Sequence, residues 1–250
     1  MSNLRLVPLI VERDIRILFS DTFLIGIMFA NFGIDLFVTA ATFGRLIPQS
    51  VLHENYFLYI APGSNFVTAM VAAFQSGRDV WREKYIKDLA SYLLTLPAPR
   101  RVLALSRIAG GVARSVIATF PGTLVISYLY GILLDPRVFA AFLIVGLFSL
   151  GIVGLSISLS AFASSIEVFV TVRSAIQLYL SFLSTLFYRT DVFPSFLVPI
   201  VVSNPMTWAV EAFRSLPHAQ GLIGPISVLV IPSLVFAALG MASYLWYARL

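Results

Sequence analysis

A serine within a stretch of small residues is the first candidate for chemistry in this sequence. Ser156 follows Gly154 in an apolar segment and His218 lies downstream, so the residue pair of an intramembrane serine protease has to be considered. Ile157 stands where such enzymes carry a glycine, and His218 neighbours Pro217 in a segment expected to face water. These departures argue against a protease, and no catalytic residue is assigned. Close helix packing is the role expected of the small residues.

Residue types also exclude nucleotide and metal chemistry. The two lysines, Lys84 and Lys87, do not follow a glycine, so the sequence contains no G-x-x-x-x-G-K-[ST] nucleotide-binding loop. Its two histidines, His53 and His218, form no cluster with acidic residues at metal-ligand spacing. Cysteine is absent, which excludes disulfides and thiolate ligands. We therefore predict that the chain binds no metal and no cofactor of its own.

Polar side chains recur at four-residue spacing in two apolar stretches, which places each set along one side of a helix. Polar groups at membrane depth are costly, so they either line a translocation path or subunit interface, or join helices within one subunit. Both interpretations remain open, and Asp35 is the strongest single candidate for a functional residue within the spans. The first stripe comprises Asn31, Asp35 and Thr39, and the second comprises Arg173, Gln177, Ser181, Thr185 and Tyr188.

The composition places these stripes in a membrane protein. Hydrophobic residues make up 59% of the chain and charged residues 12%, with a mean hydropathy of +0.92. A soluble domain carries about 25% charged residues. The predicted fold is an all-α polytopic membrane protein, with one transmembrane domain over residues 1–250 and six stretches near the ~20 residues that cross a bilayer as helix. The six spans are predicted at 22–43, 56–75, 108–134, 138–163, 171–188 and 222–247.

Basic residues set the expected orientation. With the N-terminus inside, twelve lysines and arginines lie on the cytoplasmic side and four on the other, so both termini are predicted to be cytoplasmic. We expect a multi-pass protein of the plasma (inner) membrane, and we read the net charge of +5 as basic loops rather than as a nucleic-acid surface. The inner set is Arg5, Arg13, Arg16, Arg78, Arg82, Lys84, Lys87, Arg100, Arg101, Arg107, Arg173 and Arg249, and the outer set is Arg45, Arg137, Arg189 and Arg214.

Two amphipathic segments lie outside the predicted spans. Residues 4–20 carry apolar side chains on one side and charges on the other, which predicts an interfacial helix along the membrane. Residues 84–96 predict a second amphipathic helix, closed by Pro97 and lying on the cytoplasmic side. Such a helix is too polar to span the bilayer, so it can present a face to a partner.

The segment 191–221 is too long for a turn and too apolar for a solvated loop. Asn204 and Pro205 divide it into pieces at 193–203 and 206–216, each of about eleven residues or ~16 Å as helix. Two half-length helices joined at a proline predict an external re-entrant helical hairpin. A mobile external loop is the alternative.

The order of these features resembles the membrane subunit of a type-2 ABC exporter, the family of polysaccharide, teichoic-acid, nodulation-factor and daunorubicin-type exporters. The resemblance covers essentially the whole chain. It departs from the family where Tyr85 and Ile86 follow the acid Glu83, since a Gly-Thr step often stands there. Two patterns carry it: Arg82-Glu83-Lys84 with Leu93-Leu94-Thr95-Leu96-Pro97 before the third span, and Asn204-Pro205-Met206-Thr207-Trp208-Ala209-Val210-Glu211-Ala212-Phe213-Arg214 before the last.

The resemblance implies a transport subunit without its own nucleotide site, which exports an amphipathic glycan-like, lipid-like or drug-like substrate. It implies two copies of a separate cytoplasmic ABC ATPase that binds ATP and Mg, and a second copy of the chain or a paralogous permease. The helix at 84–96 would be the coupling helix that docks on the ATPase. The docking residues implied are Arg82, Glu83, Lys84, Ile86, Lys87, Asp88, Leu89, Leu93 and Leu94, and the re-entrant motif is Asn204, Pro205, Glu211 and Arg214.

Two other functions remain open from the sequence. An ion-coupled carrier would use Asp35 with Arg173 or another cation, and it would need no ATPase. A non-transporting membrane adaptor would regulate a partner through the cytoplasmic helix. The adaptor predicts no continuous polar path, so the two polar stripes argue mildly against it.

Overall fold

The computed structural model describes residues 6–20, 26–27, 30, 32–39, 42, 56–85, 99–218 and 221–247. Within these ranges the regular structure is helical, without strands, and residues 32–39 are helical as well. The helices labelled here are α1 Leu6–Ser20, α2 Tyr56–Tyr85, α3 Arg100–Leu129, α4 Arg137–Phe162, α5 Ile166–Phe182, α6 Val198–Ser203, α7 Pro205–Arg214 and α8 Ile223–Tyr247, with a 3-10 helix at Thr190–Val192.

Helix α2 lies at the centre of the bundle, in contact with α3, α4, α5 and α7. Its Phe66 is fully buried and meets Phe148 of α4 and Phe213 of α7 edge to face, with ring centroids 5.3 and 5.9 Å apart. Each such pair contributes about 0.5–1.5 kcal/mol beyond its buried area. Helix α8 packs mainly on α4, on the far side of this core.

Small residues allow two helix pairs to cross with their backbones in contact. At the crossing of α4 and α8, a Cβ on Gly154 would collide with the carbonyl of Phe236, and one on Gly240 would lie 2.5 Å from the Gly154 oxygen. At the crossing of α2 and α4, a Cβ on Gly77 would collide with the backbone of Ser156. The small residues of α4 therefore serve close packing.

The bundle has two polar ends, named here for one residue each. At the Glu83 end, the last turns of α2 meet the start of α3, and Trp81 Nε1 donates to the Ala163 carbonyl after α4. At the Arg214 end, the first turns of α2 meet α7 and the end of α3. Long helices connect the two ends.

Within the part of the chain that the structure describes, four helices are long and apolar enough to cross a membrane, namely Tyr56–Glu83, Arg100–Leu129, Arg137–Phe162 and Ile223–Trp246. Of the span predicted at 22–43, residues 26–27, 30, 32–39 and 42 are described, and these are helical. The span predicted at 171–188 differs from the structure, because α5 has 17 residues and begins upstream at Ile166. The hydroxyl of Ser165 accepts from Val168 N at 3.2 Å and so caps the helix before its apolar run begins.

Helix α3, which contains most of the third predicted span, 108–134, has other bounds than that span. Helix α3 begins at Arg100, directly after Pro99, whose extended ψ of 133° marks the N-cap. It ends at Leu129, and Gly131 turns the chain with φ +68°. The predicted start lies inside the helix, because hydropathy detects only the apolar part of α3. No helix-breaking residue separates that part from the basic first turns.

Helix α2 also exceeds its predicted span of 56–75, since it runs unbroken from Tyr56 through Tyr85. The helix predicted at 84–96 therefore does not begin at Lys84. Residues 86–98 lie outside the described residues.

Candidate functional site

Charged side chains from three helices meet at the Glu83 end. Arg107 of α3 donates to Glu83 Oε2 of α2 over 2.5 Å and to Asp14 Oδ2 of α1 over 3.4 Å. Arg13 of α1 lies 2.7 Å from Asp14 Oδ1 and 4.0 Å from Glu83 Oε1. These four residues are called the ion-pair cluster, and they join α1, α2 and α3.

The ion-pair cluster is largely removed from solvent. The side chain of Arg107 is 9% exposed, and those of Asp14 and Glu83 are 15% and 17% exposed. Gly110 makes room for α1, because a Cβ there would lie 3.0 Å from Asp14 Oδ2. A buried ion pair stabilises a fold little in net terms, but loss of one partner leaves an unpaired charge and costs about 3–5 kcal/mol. The cluster therefore specifies which helices stay together.

A polar cleft of about 190 Å³ lies between the ion-pair cluster and a second ion pair. Asp79 of α2 and Arg114 of α3 form that pair, with 2.5 Å between Oδ2 and NH1. The cleft is lined by three acids and three arginines, so its formal charges balance. It therefore offers no excess charge with which to hold a free ion.

The predicted docking residues are only partly described. Arg82 is exposed, whereas Glu83 turns inward to Arg107 and does not present its charge to a partner. Lys84 lies in the last described turn of α2. The rings of Trp81 and Tyr85 are tilted by 33° to each other, with centroids 4.8 Å apart. Outside the described residues lie Ile86, Lys87, Asp88, Leu89, Leu93 and Leu94.

Sequence reasoning missed the partners of Glu83. It counts Arg107 only among the basic residues of one side. A signal was nevertheless available, since Asp79 and Glu83 are four residues apart on α2, and Arg107 and Arg114 are seven apart on α3. Each spacing puts its two residues on one helix face, which antiparallel packing pairs as a ladder.

The predicted re-entrant motif caps helix ends at the Arg214 end. Asn204 is fully buried, and its Oδ1 accepts from Met206 N at 2.9 Å, which caps the start of α7. Its Nδ2 donates to the carbonyls of Tyr179, Leu180 and Leu183 at 3.3, 3.2 and 2.7 Å. These carbonyls form the open C-terminus of α5. One side chain therefore caps two helices.

Arg214, the last residue of α7, closes the same end. Its guanidinium donates to the carbonyls of Tyr59 at 2.8 and 3.1 Å, Thr185 at 2.9 Å and Leu186 at 3.1 Å. It also lies 3.5 Å from the centroid of the Tyr59 ring and 3.1 Å from Glu211 Oε1. Arg214 thereby ties α7 to α2 and to the turns after α5.

The helices around Asn204 are shorter than the predicted pieces. Helix α6 has six residues and α7 has ten, and Pro205 occupies the first turn of α7. Pro205 suits that position because the first backbone N–H groups of a helix have no partner within it. The four motif residues, Asn204, Pro205, Glu211 and Arg214, are thus brought together by α7.

The second polar stripe does not follow one helix. Gln177 and Ser181 lie on α5, half-buried, but α5 ends before Thr185 and Tyr188, which lie in the following turns. Thr185 is buried, and its carbonyl is one of those that Arg214 binds. The prediction that these residues share one helix face therefore holds only as far as Ser181, because four-residue spacing implies a shared face only while the helix continues.

The first polar stripe is described in part. Asn31 lies outside the described residues, and Asp35 and Thr39 are half-buried in the helical stretch that contains them. Phe32, less than one turn before Asp35, lies beside Gly122 of α3, and Asn65 of α2 lies beside the same glycine. Phe32 and Asn65 are therefore at a similar level of the bundle.

Asp35 and Arg173 lie at different levels of the bundle. The guanidinium of Arg173 lies 5.8 Å from the Phe74 ring centroid, nine residues along α2 from Asn65, or ~13 Å by helix rise. The helical stretch of Asp35 runs the other way, toward Phe57. The geometry therefore disfavours an ion-coupled carrier built on this pair.

Ser156 is a packing residue. Its hydroxyl accepts from Gly77 N at 3.1 Å and donates to the Phe74 carbonyl at 3.0 Å, so it joins α4 to α2. His218 follows Pro217 at the opposite end of the bundle. Among the described residues, no group of three histidines or acids is placed to hold a metal.

Comparison with known proteins assigns this architecture to a family. The family model of the ABC-2 type transporter matches residues 5–216 of the 250-residue chain, which includes α1 through α7. No curated protein matches the sequence at a significant level. The family match and the four helices able to cross a membrane make this a multi-pass membrane protein. The chain therefore belongs to the ABC-2 type transporter family and is the membrane subunit of a type-2 ABC transporter.

Proposed function

We propose that the chain is the transmembrane subunit of an ATP-driven exporter, which moves an amphipathic glycan-like, lipid-like or drug-like substrate out of the cytoplasm. Two copies of a separate ABC ATPase bind ATP and Mg and drive the cycle. A second copy of the chain, or a paralogous permease, completes the membrane part. The Glu83 end and both termini face the cytoplasm, in keeping with the twelve-to-four excess of basic residues on that side.

The ion-pair cluster is the observation that carries this proposal. Glu83 lies in the last turn of α2, just before the predicted docking residues Ile86 and Lys87, and it binds Arg107 of α3. Arg107 in turn binds Asp14 of α1. A push from the ATPase on 84–96 therefore acts on α2 through the backbone, and on α1 and α3 through paired charges.

In this proposal Glu83 does not contact the ATPase but links α2 to α3, because its carboxylate is turned toward Arg107. Docking on the ATPase falls to the remaining predicted residues, with charges that set register and apolar side chains that are buried. The charged set is Arg82, Lys84, Lys87 and Asp88, and the apolar set is Ile86, Leu89, Leu93 and Leu94.

We place the half-buried polar residues of the two stripes, Asp35, Thr39, Gln177 and Ser181 among them, on the substrate path or on the interface with the second membrane subunit. We further propose that α1 lies along the inner membrane surface, where it packs against α3. Segment 191–221, with the short helices α6 and α7, forms the re-entrant hairpin on the outer side.

The test compares Glu83→Gln with Glu12→Gln in the chain reconstituted with its ATPase in liposomes. Glu12 is the matched control, because it forms an exposed pair with Arg16 on α1, with side chains 53% and 79% exposed. We expect Glu83→Gln to lower substrate transported per ATP hydrolysed by at least about fivefold, which is the low end of coupling energies between sites. Glu12→Gln should leave that ratio unchanged.

Two results would overturn parts of this proposal. Equal transport per ATP in the two variants would remove the coupling role of the ion-pair cluster. A wild-type chain that binds no ABC ATPase and shows no ATP-dependent transport would remove the exporter itself. Reversal of the Lys87 and Asp88 charges tests docking separately, and it should weaken ATPase association without changing the melting temperature of the isolated chain.

A further inference from the structure

Two arginines at the contact between α2 and α5 have no acidic partner among the described residues. Arg173 of α5 lies over the ring of Phe74 of α2, 5.8 Å from its centroid. Arg78 follows Phe74 by one helical turn, which puts it on the same face of α2. The two positive charges are close enough to oppose each other. Counted over the described residues alone, this contact therefore holds excess positive charge.

The described acids of the Glu83 end are already engaged elsewhere. Asp79 pairs with Arg114, and Asp14 and Glu83 pair with Arg107. Glu12 pairs with Arg16 at the surface. Glu167 is exposed at the start of α5, six residues before Arg173 and therefore on a different helix face. None of these acids balances the positive charges of Arg78 and Arg173.

The contact is also rich in hydrogen-bond donors that find no acceptor. Arg78 Nε, Arg173 Nε and Gln177 Nε2 are buried and have no hydrogen-bond partner among the described residues. Gln177 follows Arg173 by one turn of α5, and Gln75 precedes Arg78 by three residues of α2, with its Oε1 also unpartnered. A buried polar group without a partner costs about 1–3 kcal/mol. Three donors and two positive charges therefore call for an anion with several acceptor oxygens.

We propose that Arg78, Arg173 and Gln177 bind the phosphate group of an amphipathic molecule. Guanidinium groups bind phosphate oxygens through charge-assisted hydrogen bonds in a planar fork. The depth agrees, because Tyr85 is exposed two turns beyond Arg78, and exposed aromatic side chains are typical of the interface of a membrane. The phosphate belongs either to a bilayer phospholipid or to a transported molecule entering from the cytoplasmic side.

This site is a property of the chain by itself, so it can be tested without the ATPase. The full chain, purified in a neutral detergent, is melted with added phosphatidylglycerol and, separately, with inorganic phosphate. We expect phosphatidylglycerol to raise the melting temperature of the wild type. The double variant Arg78→Gln/Arg173→Gln should bind it at least about tenfold more weakly, because it loses charge-assisted bonds.

The matched control is Arg100→Gln/Arg101→Gln, which removes the same charge from two exposed arginines at the same end. Binding should change by less than about twofold in this control. Gln177→Leu is a milder variant that keeps both charges, and it should weaken binding by about threefold or more through loss of one donor. It keeps the test decisive if the double variant does not fold.

The lipid and phosphate arms separate the two sources. Stabilisation by phosphatidylglycerol alone assigns the site to a lipid-borne phosphate. Stabilisation by both ligands assigns it to the phosphate group whatever its carrier. The proposal is overturned if neither ligand stabilises the wild type, if the control loses as much binding as the double variant, or if Gln177→Leu binds as the wild type does. Such a failure leaves the exporter proposal intact, since ATP-driven transport is measured separately.

Discussion

The two ends of the bundle use arginine in opposite ways. At the Glu83 end, Arg107 binds carboxylates that belong to two other helices. At the Arg214 end, Arg214 binds backbone carbonyls of α2 and of the turns after α5, and Arg137 donates to the Pro217 carbonyl at 2.6 Å. Side-chain pairs join helices at one end, and caps on the backbone close turns at the other.

The two ends differ in how easily the hydrogen-bond acceptors can move away from the arginine. Each carboxylate at the Glu83 end moves with its own helix, and a polar cleft adjoins the ion-pair cluster, so water can take the place of a departing partner. The carbonyls at the Arg214 end are held by the turn geometry that the arginine itself closes. We infer that the Glu83 end is the end that moves, and that the Arg214 end is its fixed support.

The largest effect is expected from Arg214→Leu. It removes every guanidinium bond to the carbonyls of Tyr59, Thr185 and Leu186, of which the Thr185 carbonyl keeps the Tyr59 hydroxyl as a donor, and this loss should cost about 4 kcal/mol of folding free energy. The melting temperature of the purified chain should fall by about 10 °C. Arg189→Leu is the control at the same end, since Arg189 and Asp191 are 56% and 67% exposed, and it should cost less than about 1 kcal/mol. Equal losses in the two variants would refute the capping role.

A second prediction tests the role of the carboxylate pairs at the Glu83 end. Arg107→Met should destabilise the chain by about 3 kcal/mol, because Asp14 keeps Arg13 as a partner but the buried carboxylate of Glu83 is left with Arg13 only at 4.0 Å. The triple variant Asp14→Asn/Glu83→Gln/Arg107→Met should return within about 1 kcal/mol of the wild type, since the one charge then left without a partner in the ion-pair cluster is Arg13, which is 37% exposed and can be solvated. Thermal melting measures both, and transport per ATP should stay low in the triple variant. A triple variant as unstable as Arg107→Met would show that the two ends do not differ in this respect.

Substitutions of Asn204 distinguish the contributions of the two helix caps that its side chain makes. Asn204→Ser can still accept from Met206 N but loses the donor to the α5 carbonyls, so we expect a loss of about 1–2 kcal/mol. Asn204→Asp also keeps the first cap, but it turns a negative oxygen toward three carbonyls and should cost about 3 kcal/mol. Melting temperatures should therefore rank wild type, Ser and Asp in falling order. An Asp variant as stable as the wild type would mean that the α5 cap contributes nothing.

The smallest effect is a pH dependence at the turn before α4. Hydrogen bonds from the Arg137 side chain and backbone lower the pKa of Asp135 to about 2. A carboxyl whose pKa falls on folding contributes stability above its unfolded value of 3.8, and this contribution is lost as pH falls toward 2. The melting-temperature difference between wild type and Asp135→Asn should be constant above pH 5, shrink as pH falls and vanish only below pH 2. A difference independent of pH would contradict the pairing.

The sequence indicates α4 and α8 closely, because their hydropathy is uniform and turn residues flank them. The helices Arg137–Phe162 and Ile223–Tyr247 lie within one residue of the stretches 138–163 and 222–247. It misplaces α3 and α5, because their ends depend on caps at Pro99 and Ser165 rather than on where the apolar run begins.

Sequence alone determined the all-helical class, the membrane setting and the type-2 ABC family, because hydropathy and local motifs are properties of neighbouring residues. Only the tertiary structure decided that Glu83 turns inward and that Arg107 binds Asp14, 93 positions away. It also decided that Asn204 caps the carbonyl end of α5. Periodicity tells which face of a helix is polar, but the partner of that face comes from helix packing between distant parts of the chain.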